Sequence, residues 1–512
     1  MGAIMYMNEV NSKSPELLVL EEKDRRTNLK KFCNSILQKI GELDIYSGDR
    51  AIWELCQNAR DLSEGAEIKI SLENDCFTFA HKGRPFNEDS LLSLVKQVSS
   101  EEKENDDAAG QFGTGFVTTH YFNRKFYLNG SFQTESGKVF DINHFEIDRS
   151  EDDINRFIDK MDAQIKSVYN LLNTKESTIR EWTELIYPLN EKTGEIALRA
   201  IRSSERTLPI VLVLNDKIKS VELYNPKDDK HIIYTKGHYY IENDLIVQEV
   251  TKSSEIEPIE TAKIYYLQSD DFRIILPLES STMAKSSNDI AKLFIWFPLL
   301  GTESWGTNFI YHSSFYPLEK RNGMYLPCDN PNVQRKFEYN VAVLKKMNAL
   351  LFDYLRTHAR LIDNSIELAK VDFLNHIVDD VKTKDFYKYQ QEIWTKVFRS
   401  LPLIETPKGR KSLDDGVKIP DAEICSFFTD EDKNNKYFDA FYEYASAEPA
   451  TLPNKDICLK WANIIHQWGL TDESQHEISL ADVAQKVTTN KSFEKLHNLL
   501  EIIKEIKQTK LF

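Results

Sequence analysis

The sequence predicts a multidomain protein of the α/β (α+β) class: an N-terminal α/β sandwich, an α/β middle domain and a helical C-terminal region. Three observations predict it. Residues Leu29 to Ile40 and Asp49 to Leu62 carry apolar side chains at helical spacing, and Glu67–Leu72 and Cys76–Phe79 then alternate as paired strands. A second alternating region runs from Ile218 to about Ile275, and beyond Pro331 the pattern turns to long helices. At roughly 100–200 residues per domain, a chain of 512 residues forms about three domains. Their expected bounds are 15–192, 193–330 and 331–512.

The elements follow in order. After the first helices and the strand pair, Glu88–Val95 reads as a short helix, and residues 99–109 form a polar, acidic surface loop. Lys125–Gly130 and Gly137–Phe145 read as strands, Glu151–Leu172 as a charged helix, and Trp182–Leu189 as the strand that completes the sheet. From Gly194 a helix leads into Leu208–Asn215 and the strand Ile218–Tyr224. The C-terminal region reads as helices over Val333–Asp363, Glu367–Thr383, Asp385–Arg399, Lys436–Ser446, Asp456–Trp468 and Ser492–Thr509. Aromatics in Phe438–Tyr444 pack a core, and Lys408–Lys411 is a solvated loop charge run.

Composition narrows the function classes. The chain is 41% hydrophobic, but no stretch approaches the ~18–20 uninterrupted apolar residues of a membrane span. Its start lacks a basic region followed by an apolar stretch, so a cytoplasmic location is expected and a secretory signal is not. The six cysteines are scattered without C-x-x-C pairs and read as reduced packing residues, not as zinc ligands or a disulfide framework. A formal charge of −16 and a pI near 5.3 disfavour a broad nucleic-acid footprint.

Two short segments carry the chemistry. In Glu54-Leu-Cys-Gln-Asn58-Ala-Arg-Asp61, Glu54 and Asn58 are spaced i,i+4 and Asp61 follows one turn later, giving a polar face on an otherwise apolar helix. The Asn58 carbonyl is a hard neutral oxygen suited to Mg²⁺, an ion that takes few protein ligands when phosphates supply the rest. Glu54 one turn earlier is placed to orient or deprotonate an attacking water. In Gly110-Gln111-Phe112-Gly113-Thr114-Gly115-Phe116, the glycines let backbone approach a ligand, and Phe116–Phe122 reads as the helix whose start would cradle phosphate. No Gly-Lys-Ser/Thr follows, and position 118 is Thr, so neither the Walker A nor the G-x-G-x-x-G pattern fits. Singly, each segment reads as well as a solvated helix face or a flexible loop; their order and spacing make the nucleotide reading.

These residues resemble the GHKL ATPases, the superfamily of gyrase B, heat-shock-ninety chaperones, histidine kinases and MutL. Glu54-x-x-x-Asn58-x-x-Asp61 is similar to the N-box, Gly110 to Phe116 to the second glycine box in its heat-shock-ninety form, and Phe79-Ala-His-Lys-Gly-Arg-Pro-Phe86 to the first. The wording is closest to the heat-shock-ninety-like and sacsin-like bacterial branch. The resemblance implies a Bergerat-type sandwich, a transducer-like middle domain and a mobile lid at residues 99–109. It also implies ATP and Mg²⁺ as cofactors, with Gly83 letting the base pack on backbone and Thr183 on a late strand of the domain. The first box departs from the family, because His81 and Lys82 stand where an Asp that accepts the adenine amino group and its polar neighbour are usual. A neutral imidazole can accept that bond through one nitrogen. Within the segment from His312 to Gly323, Lys320 and Arg321 are candidates for the cation that answers the γ-phosphate; a solvated pair at a strand end is the plainer reading.

The resemblance therefore implies an ATP-hydrolysing conformational clamp, a homodimer with a client or effector protein, and a chaperone-like or anti-phage role. Two other classes stay open. A nucleic-acid remodeller of the MORC or MutL kind would share the ATPase module, and a non-hydrolysing ATP-sensing scaffold would fit the unusual His81–Lys82 pair.

Overall fold

The computed structural model describes residues 14–44, 46–97, 115–228, 230–254, 259–278, 289–363, 365–428, 435–446, 451–490, 497, 500, 501 and 504. The chain divides into two compact units, Met1–His238 with Glu249–Ala262, and Tyr239–Gln248 with Lys263–Phe512. This division differs from the three-domain expectation: residues 193–238 fall with the N-terminal unit, and the strands after Lys263 share a unit with the C-terminal helices.

In the first unit, helix α1 (Pro15–Gly41) starts with Pro15 in its first turn and the Ser14 hydroxyl accepting from Leu17 N–H. Helix α2 (Ser47–Asp61) leads into strands β1 (Ala66–Glu73) and β2 (Cys76–His81), the predicted antiparallel pair. Helix α3 (Glu88–Lys96) is fixed by a reciprocal Asn87–Ser90 capping box. Strands β3 (Lys125–Gln133) and β4 (Val139–Asp148), helix α4 (Ile154–Asn170) and strand β5 (Thr183–Pro188) follow. Helix α5 (Glu191–Leu214) continues through Pro209 into the fully buried run Leu208–Leu214, and strands β6 (Ile218–Asn225) and β7 (Lys230–Glu242) come next.

Strand order is β7-β6-β1-β2-β5-β3-β4, antiparallel except for the parallel pair β1–β6. Along β1, Ala66, Ile68, Ile70 and Leu72 are buried while Glu67, Lys69, Ser71 and Glu73 face the other way. That alternation is a one-sided apolar sheet, and its apolar side needs a helical cover. Helices α2 and α5 pack against each other closely enough that a Cβ on Gly48 would sit 2.7 Å from Ile196 Cγ2. The predicted helix at Phe116 is a 3-10 segment, Gly115–Tyr121.

The second unit contains the end of β7, β8 (Leu245–Ser254) and β9 (Glu260–Gln268) in part, β10 (Phe272–Leu276), β11 (Leu293–Ile295), β12 (Phe297–Pro298) and β13 (Ile310–Ser313). Helix α6 (Gln334–His358), the short α7 (Ser365–Leu368) and α8 (Val381–Ser400) follow. Strand residues such as Ile274, Leu293 and Tyr311 and helix residues such as Leu344, Leu351, Trp394 and Trp461 form one continuous core. A shared core is what makes these segments one unit.

Two expectations for this unit need correction. The helix expected over Glu367–Thr383 stops at Leu368. Val371 bridges Thr307, Asp372 N–H donates to Gly306 O at 2.8 Å, and Phe373 N–H donates to Gln391 Oε1 at 2.9 Å, so burial of this segment overrides its helical spacing. Lys408–Lys411 is solvated only in part: Lys408 and Gly409 are exposed, but Gly409–Lys411 pairs with Ile404–Thr406, and Arg410 donates to Arg360 O at 3.1 Å and Ile362 O at 2.5 Å. Arg410 thus satisfies carbonyls at the end of the α6 segment, which have no partner inside the helix. Of the terminal helix expected at 492–509, only 497, 500, 501 and 504 are described, all helical. All six cysteines are free, with Cys33, Cys56, Cys425 and Cys458 buried, as packing residues should be.

Gly306 tests the irregular segment. It has φ +116°, and a Cβ there would collide with the Phe373 ring. Gly306→Ala should cost about 2–4 kcal/mol, read as a lower urea midpoint, whereas Gly65→Ala, with open space around the added atom, should be near neutral.

Candidate functional site

Helix α2 is buried on nearly every side. Ala51, Ile52, Leu55, Cys56 and Ala59 lie in the core, and even Gln57 and Arg60 are only 3% exposed. The stripe Arg50, Glu54, Asn58 and Asp61 escapes burial: Arg50, Glu54 and Asp61 are half-buried and Asn58 is exposed. Their i,i+4 and i,i+3 spacing puts these polar groups along one line. Arg50 is anchored by Asp44 at 2.6 Å, and Asp61 by its neighbour Arg60 at 3.0 Å.

Glu54 faces the start of the 3-10 segment. A Cβ on Gly115 would overlap the Glu54 carboxylate, so glycine is required there while Glu54 keeps this position. The N-box-like helix and the last glycine of the second box are thereby brought together. Phe116, next in the chain, is half-buried and packs its ring against Phe126 of β3 at 5.6 Å between centroids, tilted by 54°. Gly110, Gln111, Phe112, Gly113 and Thr114, and the lid expected at 99–109, lie outside the described residues.

The first glycine box docks on the other end of α2. Arg84 N–H donates to Leu62 O at 3.2 Å, and a Cβ on Gly83 would lie 3.4 Å from Leu62 Cβ and 3.1 Å from His81 Nδ1. Gly83 therefore lets the backbone pass close to the imidazole, where a methyl group would press on it. His81 ends β2, is 3% exposed, and pairs in register with Ile68 of β1 and Thr183 of β5. Its Nδ1 is buried without a hydrogen-bond partner. Burial pushes the His81 pKa down to about 4, so the ring is neutral near pH 7 and offers one donor and one acceptor. Lys82 is committed elsewhere: its ammonium lies 2.9 Å from Glu67 and 2.6 Å from Glu181, above the Trp182 ring.

Thr183 is buried at the head of β5, and Gly130 of β3 sits beside it, where a Cβ would approach Thr183 Oγ1 to 3.3 Å. Sequence reasoning passed over Gly130. An isolated glycine inside a strand pattern is the signal that marks such a close approach. It also missed that Arg84 Nη2 reaches Asp61 O at 3.4 Å, a tie between two motifs 23 residues apart that spacing alone does not reveal.

Lys320 and Arg321 belong to the second unit. They occupy a tight turn in which Arg321 N–H donates to Leu318 O at 2.8 Å and Leu318 N–H to Gly323 O at 2.9 Å, with Arg321 at φ +50°.

No protein-family model matches the chain, and no curated protein matches its sequence. Solved structures give partial likenesses. The ATP-binding domain of topoisomerase IV from Francisella tularensis, in complex with a small-molecule inhibitor, is 12% identical over 39% of this chain and 57% of that chain, with a TM-score of 0.21. The B-subunit of DNA gyrase from Myxococcus xanthus is 9% identical over 44% of this chain and 63% of that chain, with a TM-score of 0.21. The chain thus spans less than two thirds of either structure.

The buried neutral imidazole has a measurable consequence. Between its ordinary pKa of 6.5 and the folded value of about 4, the unfolded chain binds a proton that the folded chain refuses. Stability is therefore lost as pH falls through that window, by on the order of 3 kcal/mol for this group. His120, likewise buried and held at about 3, contributes with the same sign. His81→Gln should flatten the pH dependence between 6.5 and 4 in urea unfolding followed by tryptophan fluorescence, leaving the His120 part.

Proposed function

We propose that the first unit binds Mg²⁺·ATP and hydrolyses it in the manner of the GHKL ATPases that its motifs resemble. The observation that carries the reading is the packing of Gly115 directly against the Glu54 carboxylate. A carboxylate held at the end of a glycine segment, on the polar stripe of a buried helix, is a costly arrangement for packing alone. The residues also fit the cofactor. Asn58 supplies an exposed neutral oxygen for the metal, and the unpartnered His81 Nδ1 beside Gly83 supplies a polar contact for a base. When bound, Mg²⁺ neutralises phosphate charge.

In this reading Glu54 positions and deprotonates the attacking water, and Asn58 holds the metal. Asp61 steadies the end of α2, where Arg60 and Arg84 gather. His81 reads the base edge with Thr183 and Gly83 around it, and Gly110 to Phe116 close over the phosphates. Turnover would drive closure of a cytoplasmic homodimeric clamp on a client or effector, chaperone-like or in anti-phage defence. Among the described residues no helix is long and apolar enough to cross a membrane. DNA mobility shifts at two salt concentrations test the nucleic-acid alternative, whose binding should weaken steeply with salt.

Asn58→Ala should abolish Mg²⁺-dependent ATP binding in calorimetry, and unchanged affinity would remove Asn58 from the metal. Glu54→Ala should retain ATP yet release phosphate at least about 10²-fold more slowly, the scale of a lost general base. A parent protein that binds ATP with no phosphate release would establish the sensing scaffold instead. Arg321→Ala is expected to slow turnover with ADP affinity unchanged, since ADP lacks the γ-phosphate; unaltered rates for both Arg321→Ala and Lys320→Ala would leave the second unit without a catalytic cation there.

A further inference from the structure

Three side chains of the second unit that belong to none of the motifs above lie together. His466 is near the end of the helix Cys458–Gln467, Glu473 begins the 3-10 turn Glu473–Gln475, and Glu477 starts the strand Glu477–Ile478, paired in parallel with Ile419–Pro420. One ligand atom from each lies within 4.8 Å of the other two. His466 Nδ1 is 2.5 Å from Glu473 Oε1 and 3.7 Å from Glu477 Oε1. Its other nitrogen is 3.0 Å from Pro420 O, a carbonyl that can only accept, and this contact orients the ring with Nδ1 toward the carboxylates. An imidazole oriented through its far nitrogen by a backbone carbonyl is the usual support of a metal-binding histidine.

We propose that His466, Glu473 and Glu477 hold a divalent transition-metal ion of the zinc class, clipping the 466–478 segment onto the Ile419–Pro420 strand. One nitrogen and two carboxylate oxygens form a borderline-hard donor set with positions left for water. Bond lengths near 2.0–2.2 Å set ligand atoms about 3–3.5 Å apart, so binding would move Glu473 outward from its 2.5 Å contact and draw Glu477 inward from 3.7 Å. The plainer reading is an ion pair between His466 and Glu473, 2.5 Å apart. That pair uses one carboxylate, whereas Glu477 Oε1 also lies 3.7 Å from the same nitrogen. Two carboxylates around one imidazole suit a divalent cation better than a single proton.

The test uses the untagged full chain without nucleotide, titrated with ZnSO₄ by calorimetry and with Co²⁺ by visible absorption. One saturable Zn²⁺ per chain at micromolar affinity or tighter is expected, with a rise in Tm and d–d bands from Co²⁺ bound at nitrogen and oxygen. His466→Ala should remove the site. Glu477→Gln keeps the His466–Glu473 pair, yet should weaken Zn²⁺ at least about tenfold while circular dichroism reports an intact fold. The absence of a saturable site overturns the proposal, as does Zn²⁺ affinity unchanged in both variants, which would assign the metal to other histidines. Glu477→Gln with a raised Tm and no metal dependence also overturns it, and establishes the ion pair alone.

Discussion

The one-sided apolar face of the sheet β6-β1-β2-β5 is the constraint from which the first unit follows. Ile68, Ile70, Leu72, Phe77, Phe79 and Leu185 present their side chains to one layer of helices. Burying such a face is worth about 25 cal/mol per Å² of apolar area, and it requires α2 to sit flat and almost fully enclosed. Enclosure on that scale leaves a single stripe of α2 for polar residues. The same register that buries Phe79 also buries His81, since both lie on the side of β2 that faces Ile70 and Ile68. A slip by one residue would exchange His81 for Lys82 and destroy the site with the core.

Close approach, not loop flexibility, explains the glycines that matter. Gly115 gives way to Glu54, Gly83 to His81 and Leu62, and Gly130 to Thr183. In each case a methyl group would press on a polar side chain of the candidate site or on the α2 terminus. None of the three requires a left-handed backbone, so their role is steric. This separates them from Gly306 in the second unit, where a positive φ and the Phe373 ring exclude a side chain together.

The second unit is governed by shared burial. Trp394 and Trp461, both within 1% of complete burial, belong to the same core as Ile274 and Tyr311, so strands and helices cannot stabilise separately. Polar anchors then set detail inside this core. Asn340 bridges Tyr316 and Tyr325 carbonyls at 2.9 Å each, and Gln391 binds Phe373 N–H as well as the carbonyls of Gln467 and Trp468. Buried amides that satisfy backbone groups from distant segments select one packing among many apolar alternatives.

Periodicity and turn chemistry, both local, made most elements of the first unit legible. Alternation marked β1 and β2, the stretch Glu88–Val95 marked α3, and the i,i+4 spacing of Glu54 and Asn58 marked a polar line on an apolar helix. The order of the three motifs was likewise enough to suggest a nucleotide site. Tertiary structure alone decided what those residues touch: that Gly115 meets Glu54, that His81 is enclosed and neutral opposite Thr183, and that Lys82 is spent on Glu67 and Glu181. It also decided that residues 369–380 abandon helical spacing and that Arg410 turns inward to helix-end carbonyls. The physical reason is range. A helix or strand is specified by neighbours within a turn or two, whereas burial, pKa and close approach depend on segments brought together from tens of residues away, and their energies outweigh local propensity.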